Sequence, residues 1–284
     1  MTTQAKLQNF SAEDIKAFEP TMKIGMLATI TPEGLPHLTL ISSIMASSPT
    51  HLVWGQFTEG VSKSYIRQNP KAAFLIMNMD KEVWRGKATF THSQKDGKDF
   101  DFYNNTPMFR YNAYFGIHTV YYMDLLHQSG KHPLPMGKII SASIKSLAIK
   151  TFSGKASARK VINPWSASLI SGIGNLKFLS YIDADGFPII TPVLQAAAGS
   201  TEEIIFSTTA YRQDLEAIPV ATPMALFGMT LDMEDVLFRG EYTGIQSLMG
   251  MKYGKLKVDW VYNAMPPLPQ QIYPPLEPQA ITKF

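Results

Sequence analysis

The chain has 284 residues, 45% of them apolar and 17% charged, with a formal net charge of +3 and no cysteine. That length suggests two domains, and the composition supports a buried core and shows no signature of disorder. Without cysteine there is no disulfide framework, thiolate nucleophile, iron–sulfur cluster or cysteine zinc site, and a charge of +3 is too small to argue for nucleic acid.

The first twenty residues lack the basic-then-apolar order of a secretory signal. No window approaches the roughly 18 uninterrupted apolar residues of a membrane helix. A cytoplasmic location and no membrane partner are therefore expected. Ser11 and Asp14, three residues apart, start a short helix with Ile15 and Phe18 on its apolar face, which Pro20 ends. Lys23 to Ile30 is β-rich, Thr31 to Gly34 (TPEG) fits a type I turn, and Leu35 to Ile44 supplies the return strand. Leu52 to Phe57 reads as a third strand, followed by a polar loop, a helix over Val61 to Gln68 stopped by Asn69-Pro70, and a fourth, fully buried strand over Ala72 to Met77. Val83 to Thr91 alternates with period two, Asp96 to Phe115 is aromatic and partly helical, and a last strand runs near Ile117 to Met123.

The order then recurs. Lys23 to Pro36 overlays Asn175 to Pro188, turn on turn; His51 to Phe57 matches Glu203 to Thr209; Pro70 to Ile76 matches Pro223 to Met229; and Val83 to Thr89 matches Leu237 to Thr243, which would put Arg85 and Arg239 at equivalent strand positions. Four matches in one order indicate duplication. The domains expected are an N-terminal copy over 10–125, a basic linker over 126–162, a C-terminal copy over 163–265 and a Pro-rich tail over 266–284 without regular structure.

The linker carries Lys131, Lys138, Lys145, Lys150, Lys155, Arg159 and Lys160 and no acidic residue. It fits either a basic surface for an anionic partner or a connecting helix whose Ile140, Ile144, Leu147 and Thr151 face a barrel while the lysines are solvated. The spread of the charges, with no interleaved aromatics, favours the second.

The strand that leads into Thr58, Gly60, Ser62 and Lys63 brings hydroxyls, a cation and free N–H groups to a helix start, a cradle for phosphate. The six histidines show no paired-ligand spacing and no metal site is assigned; there is no GxSxG, Walker loop or GxGxxG.

Helix, hairpin with a turn glycine, strand into a polar-loop helix ending in Asn-Pro, apolar strand, then a strand carrying Gly-x-Ala: across both copies this order resembles the FMN-binding split β-barrel of the pyridoxamine 5′-phosphate oxidase-like superfamily. The resemblance implies a mainly-β fold with short helices, two tandem split barrels forming a pseudo-dimer within one chain, and a further homodimer as an option. It implies FMN in the groove between the barrels and an FMN-dependent oxidoreductase, with F420 or haem, or a non-catalytic sensing or assembly module, as alternatives. Carried over by position, its flavin-holding residues fall on His37 to Ser42, Gly55, Gln56, Val61 and Ser62. The cofactor set expected is His37, Thr39, Ser42, Gln56, Thr58, Ser62, Lys63 and Arg85. The sequence departs from the oxidase at His37 and Ser42, where the family motif has Arg and Lys, and at Val61 and Ser62, where it has a basic pair. The loop of the second copy carries Asp214 and Glu216, which repel a phosphate, so one phosphate site per chain is expected. No catalytic residue, substrate or electron partner is assigned.

Overall fold

The computed structural model describes residues 6–57, 60–106, 116–153, 159–263 and 270–275. The chain divides into two compact units, Met1–Leu134 with Ile182–Ile190, and Pro135–Tyr181 with Thr191–Phe284.

The first unit opens with α1 (Ala12–Phe18), capped as the sequence predicts: Asp14 N–H donates to Ser11 Oγ at 3.1 Å and Ser11 N–H to Asp14 Oδ2 at 3.0 Å. The other Asp14 oxygen accepts Trp84 Nε1–H at 2.7 Å, so one carboxylate caps the helix and ties it to the core. β1 (Ile24–Ile30) turns through Thr31–Gly34 into β2 (Pro36–Leu40), with Gly34 at φ 78° and its N–H on Thr31 O. The expected return strand does not run on to Ile44. Ile41 N–H bonds Gly25 O at 2.7 Å, Ile44 N–H bonds Ile41 O, and β3 begins only at Met45 (Met45–Ser48). The chain crosses so closely over β1 that a Cβ on Gly25 would stand 2.2 Å from Ile41 O.

There follow β4 (His51–Gln56), α2 (Val61–Gln68), β5 (Lys71–Met77), β6 (Glu82–Gln94), α3 (Lys98–Asn105), β7 (Thr119–Gln128) and β8 (His132–Pro133). The sheet order is β2-β1-β5-β6-β7-β4-β3, with β8 on β6. Its two edge strands are consecutive in the chain and joined by residues 41–44. Five residue steps reach at most about 18 Å, so the sheet must curl until its edges adjoin. It closes as a split barrel around Phe18, Trp54, Phe74, Trp84, Tyr103 and Tyr121.

The second copy contributes α4 (Met136–Ser153) and α5 (Pro164–Ser171), then β9 (Leu176–Ile182), β10 (Pro188–Pro192), β11 (Ala197–Ala198), β12 (Glu203–Ser207), α6 (Arg212–Glu216), β13 (Pro223–Met229), β14 (Asp235–Leu248), β15 (Met251–Asn263) and β16 (Gln270–Tyr273), its hairpin segment Ile182–Ile190 lying in the first unit. The order β10-β9-β13-β14-β15-β12-β11 repeats the first sheet strand for strand. The fold is mainly β with short helices, duplicated in tandem.

The pairing register fixes how the copies correspond. Ile24 pairs Met77 and Leu176 pairs Met229; 24 to 176 and 77 to 229 are both 152 residues. The same step takes Asn78 and Glu82 of one turn to Thr230 and Glu234 of the other, and the bulge at Lys87/Ala88 to that at Arg239/Gly240. Arg239 is thus the counterpart of Lys87, not of Arg85: the letters Arg, Gly and Thr shared by 83–89 and 237–243 lie two residues out of register. Pro70 and Pro223 are likewise one residue out.

The basic stretch is not a separate linker. Residues to 134 belong with the first unit, and α4 packs on β12 and β15 of the second. It does so through Ile139, Ala142, Ser146 and Ile149, while Ile140, Ile144 and Leu147, expected to face a barrel, are exposed. β14 turns into β15 within two residues, so this copy has no counterpart of α3, and α4 covers the corresponding strand instead: Ser207 N–H donates to Ser146 Oγ at 3.0 Å. The Pro-rich tail contributes a strand, β16 pairing β15.

Candidate functional site

The helix start that the sequence singles out lies wholly in the first unit. α2 spans the predicted residues, and Asn69-Pro70 ends it because the residue before a proline is biased away from helical backbone. Gly60 is its N-cap and supplies no side-chain cap; of the first-turn N–H groups, that of Lys63 bonds Gly60 O at 3.3 Å. Its first turn holds no acid but does hold Lys63, 8% exposed, with the ammonium close enough to the helix start that a Cβ on Gly60 would lie 3.1 Å from Nζ.

Two predicted residues meet there. Thr39 Oγ1 donates to Ser62 Oγ at 3.0 Å, joining β2 to α2. Ser62 is 1% exposed, and because its oxygen accepts from Thr39, its own hydroxyl hydrogen is directed elsewhere. His37, two residues before Thr39, is buried with its ring edge-on to Tyr65 at 5.3 Å. Gln56 is buried at the end of β4, where Oε1 accepts from Tyr121 OH at 2.9 Å; that hydroxyl also accepts from Arg67 Nη2 at 2.9 Å. Arg67 was not foreseen, although it stands one helical turn beyond Lys63, a spacing that puts both on one face. Tyr121 itself is fully buried and stacked on Trp54 at 4.1 Å.

The other expected residues fall elsewhere. Ser42 is half-buried in the link between β2 and β3. Thr58 lies outside the described residues. Arg85 is on β6, separated from β2 by two strands, and its Nη1 donates to Ile190 O at 3.4 Å. Lys87, on the same face of β6, reaches the tip of the β9–β10 hairpin, which belongs to this unit: Nζ lies 2.6 Å from Asp185 and 3.2 Å from Asp183.

In the second copy, the 152-residue step places Asp214 at Ser62 and Leu215 at Lys63. Glu216 turns inward there: Oε1 accepts from Thr208 Oγ1 at 3.0 Å and Arg212 Nε at 3.1 Å, and Oε2 lies 3.4 Å from Lys252 Nζ. Burial raises the Glu216 pKa, but these bonds and charges outweigh it and hold the carboxyl below its ordinary value.

No family model and no curated protein matches the chain. Solved structures do. An FMN-binding protein from Syntrophomonas wolfei is 13% identical, with a TM-score of 0.35, over 40% of this chain and 81% of its own. A putative pyridoxamine 5′-phosphate oxidase from Lactobacillus delbrueckii is 18% identical, with a TM-score of 0.34, over 43% and 97%. An F420 reductase is 17% identical, with a TM-score of 0.33, over 42% and 98%.

Proposed function

We propose that the chain is an FMN-binding flavoprotein that acts as an oxidoreductase, with the flavin phosphate held at the start of α2 in the first copy. The observation that carries this reading is the convergence of the Thr39–Ser62 pair and the Lys63 ammonium on a helix N-terminus whose cap, Gly60, has no side chain. Ser62, aligned by Thr39, donates its hydroxyl; Lys63 supplies charge; the first-turn N–H groups supply the rest. Tyr121 and Arg67 hold Gln56 in place. Bound FMN would supply hydride or single-electron transfer, which needs no protein nucleophile.

The test compares FMN with riboflavin, which lacks the phosphate. Purified protein titrated with each, read by quenching of flavin fluorescence, should bind FMN at least tenfold more tightly. Equal affinity would remove the phosphate cradle from the account, and no binding of either would remove the flavin.

A further inference from the structure

α2 begins on a glycine that its backbone does not require. Gly60 stands at φ −171° and ψ 151°, an extended geometry open to any residue. Gly97, which caps α3, stands instead at φ 92°, where glycine is favoured. Two other helices start on extended residues whose side chains cap them: Ser11 Oγ accepts Asp14 N–H at 3.1 Å, and Asn163 Oδ1 accepts Ser166 N–H at 2.8 Å. A side chain at position 60 would meet the Lys63 ammonium, which lies 3.1 Å from where its Cβ would stand. Nearby, Ser62, 1% exposed, takes the Thr39 hydrogen and gives its own to no acceptor among the described residues. In the second copy the 152-residue step puts Arg212 at Gly60 and Thr208 at Gln56. There the chain supplies the anion itself, since Glu216 Oε1 accepts from both.

We infer, resting on the phosphate site proposed above, that Gly60 sets the specificity of that site for a phosphate-bearing flavin: carrying no side chain, it keeps the helix start and the Lys63 ammonium open to an external dianion. Ser, Thr, Asp or Asn at this position would satisfy a first-turn N–H from within the chain and strengthen the cap. Asp would also set a fixed carboxylate beside Lys63, engaging the ammonium and repelling a phosphate. The first copy would then hold an anion of its own, as the second does. Glycine leaves the cap unmade and the donors to the ligand.

Wild type, Gly60→Asp and Gly60→Ala are each titrated with FMN and with riboflavin, and the thermal midpoint of each flavin-free chain is recorded. Gly60→Asp should bind FMN at least about tenfold more weakly, the scale of one charge-assisted contact, while binding riboflavin within about twofold of the wild type and melting no lower. Gly60→Ala adds a Cβ but no acceptor, and should lose much less. Gly60→Asp that binds FMN as tightly as the wild type overturns the role of Gly60. So does Gly60→Ala that loses as much as Gly60→Asp, which would assign the loss to bulk. An equal loss of both flavins with a lowered midpoint overturns it too, placing Gly60 in the packing. A wild type that does not distinguish the flavins removes the phosphate site and this role together; one that does, beside an unaffected Gly60→Asp, removes only the role.

Discussion

Thr208 Oγ1 donates to Glu216 Oε1 at 3.0 Å, and Arg212 and Lys252 approach the same carboxylate. The second copy thus seats an anion of its own, on the short helix α6 where the first copy's α2 offers a hydroxyl and a lysine. Because the folded pKa of Glu216 lies below the ordinary 4.5, its contribution to stability is complete above that value and is lost as pH falls through the folded pKa. Glu216→Gln should therefore be less stable than the wild type at pH 7, and the difference should close as pH drops toward 3. Thermal midpoints across that range measure it; a gap that does not change with pH would show that charge plays no part.

In the first copy the corresponding prediction concerns an added anion. Removing Lys63, by Lys63→Ala, should weaken FMN by roughly 10- to 100-fold, the range of one charge-assisted hydrogen bond of about 1.5–3 kcal/mol. Ser62→Ala should cost less. Riboflavin affinity should change with neither, because only the phosphate reaches these groups. A loss shared equally by both flavins would assign the residues to folding instead.

Lys87 is 7% exposed and faces two carboxylates on the hairpin tip, which are 41% and 46% exposed. A buried pair broken from one side costs about 3–5 kcal/mol, but half-solvated acids recover much of it, so Lys87→Met should destabilise the first unit by about 1–2 kcal/mol. Burial raises the Asp185 pKa, but the Lys87 bond and charge and the Phe187 N–H bring it below 3.8. The wild-type advantage over Lys87→Met should then persist at pH 6 and fade below about 4, as urea midpoints would show. An advantage that survives at pH 3 would point to packing of the lysine stem rather than to its charge.

The local chemistry of the sequence was legible where short-range rules decide it. Ser11 and Asp14 gave the cap, Gly34 the turn, and Asn69-Pro70 the end of α2. What was not legible depended on pairing across the sheet. The shared Arg, Gly and Thr near residues 85 and 239 suggested a register that the turns at 78–82 and 230–234 contradict, since hydrogen bonding and not residue identity sets which strand positions correspond. α4 carries aliphatic residues on two faces, so periodicity could not say which is buried; that followed from the missing counterpart of α3. Thr39 and Ser62, 23 residues apart, were both named, but their hydrogen bond could not be read from spacing. Arg85 stands in the expected cofactor set, and its strand β6 is separated from β2 by two strands.

Lys177 is 1% exposed and donates to two carbonyls, Gly172 O at 2.7 Å and Leu194 O at 2.9 Å. With no carboxylate among these partners, burial lowers its pKa from 10.5 to about 8. A lysine whose folded pKa is depressed binds fewer protons in the native state than in the unfolded chain between about 8 and 10.5, so stability must rise with pH across that window. One such group contributes about 1.4 kcal/mol per pH unit. Lys23 in the first unit is lowered to about 8 by the same cause, so the wild type carries two of these slopes. Lys177→Met removes one of them: relative to the variant, the second unit of the wild type should gain stability steadily from pH 8 to 10.5 in urea unfolding. A constant difference over that range would mean that Lys177 is solvated and titrates normally, and that its carbonyl bonds do not hold a buried ammonium.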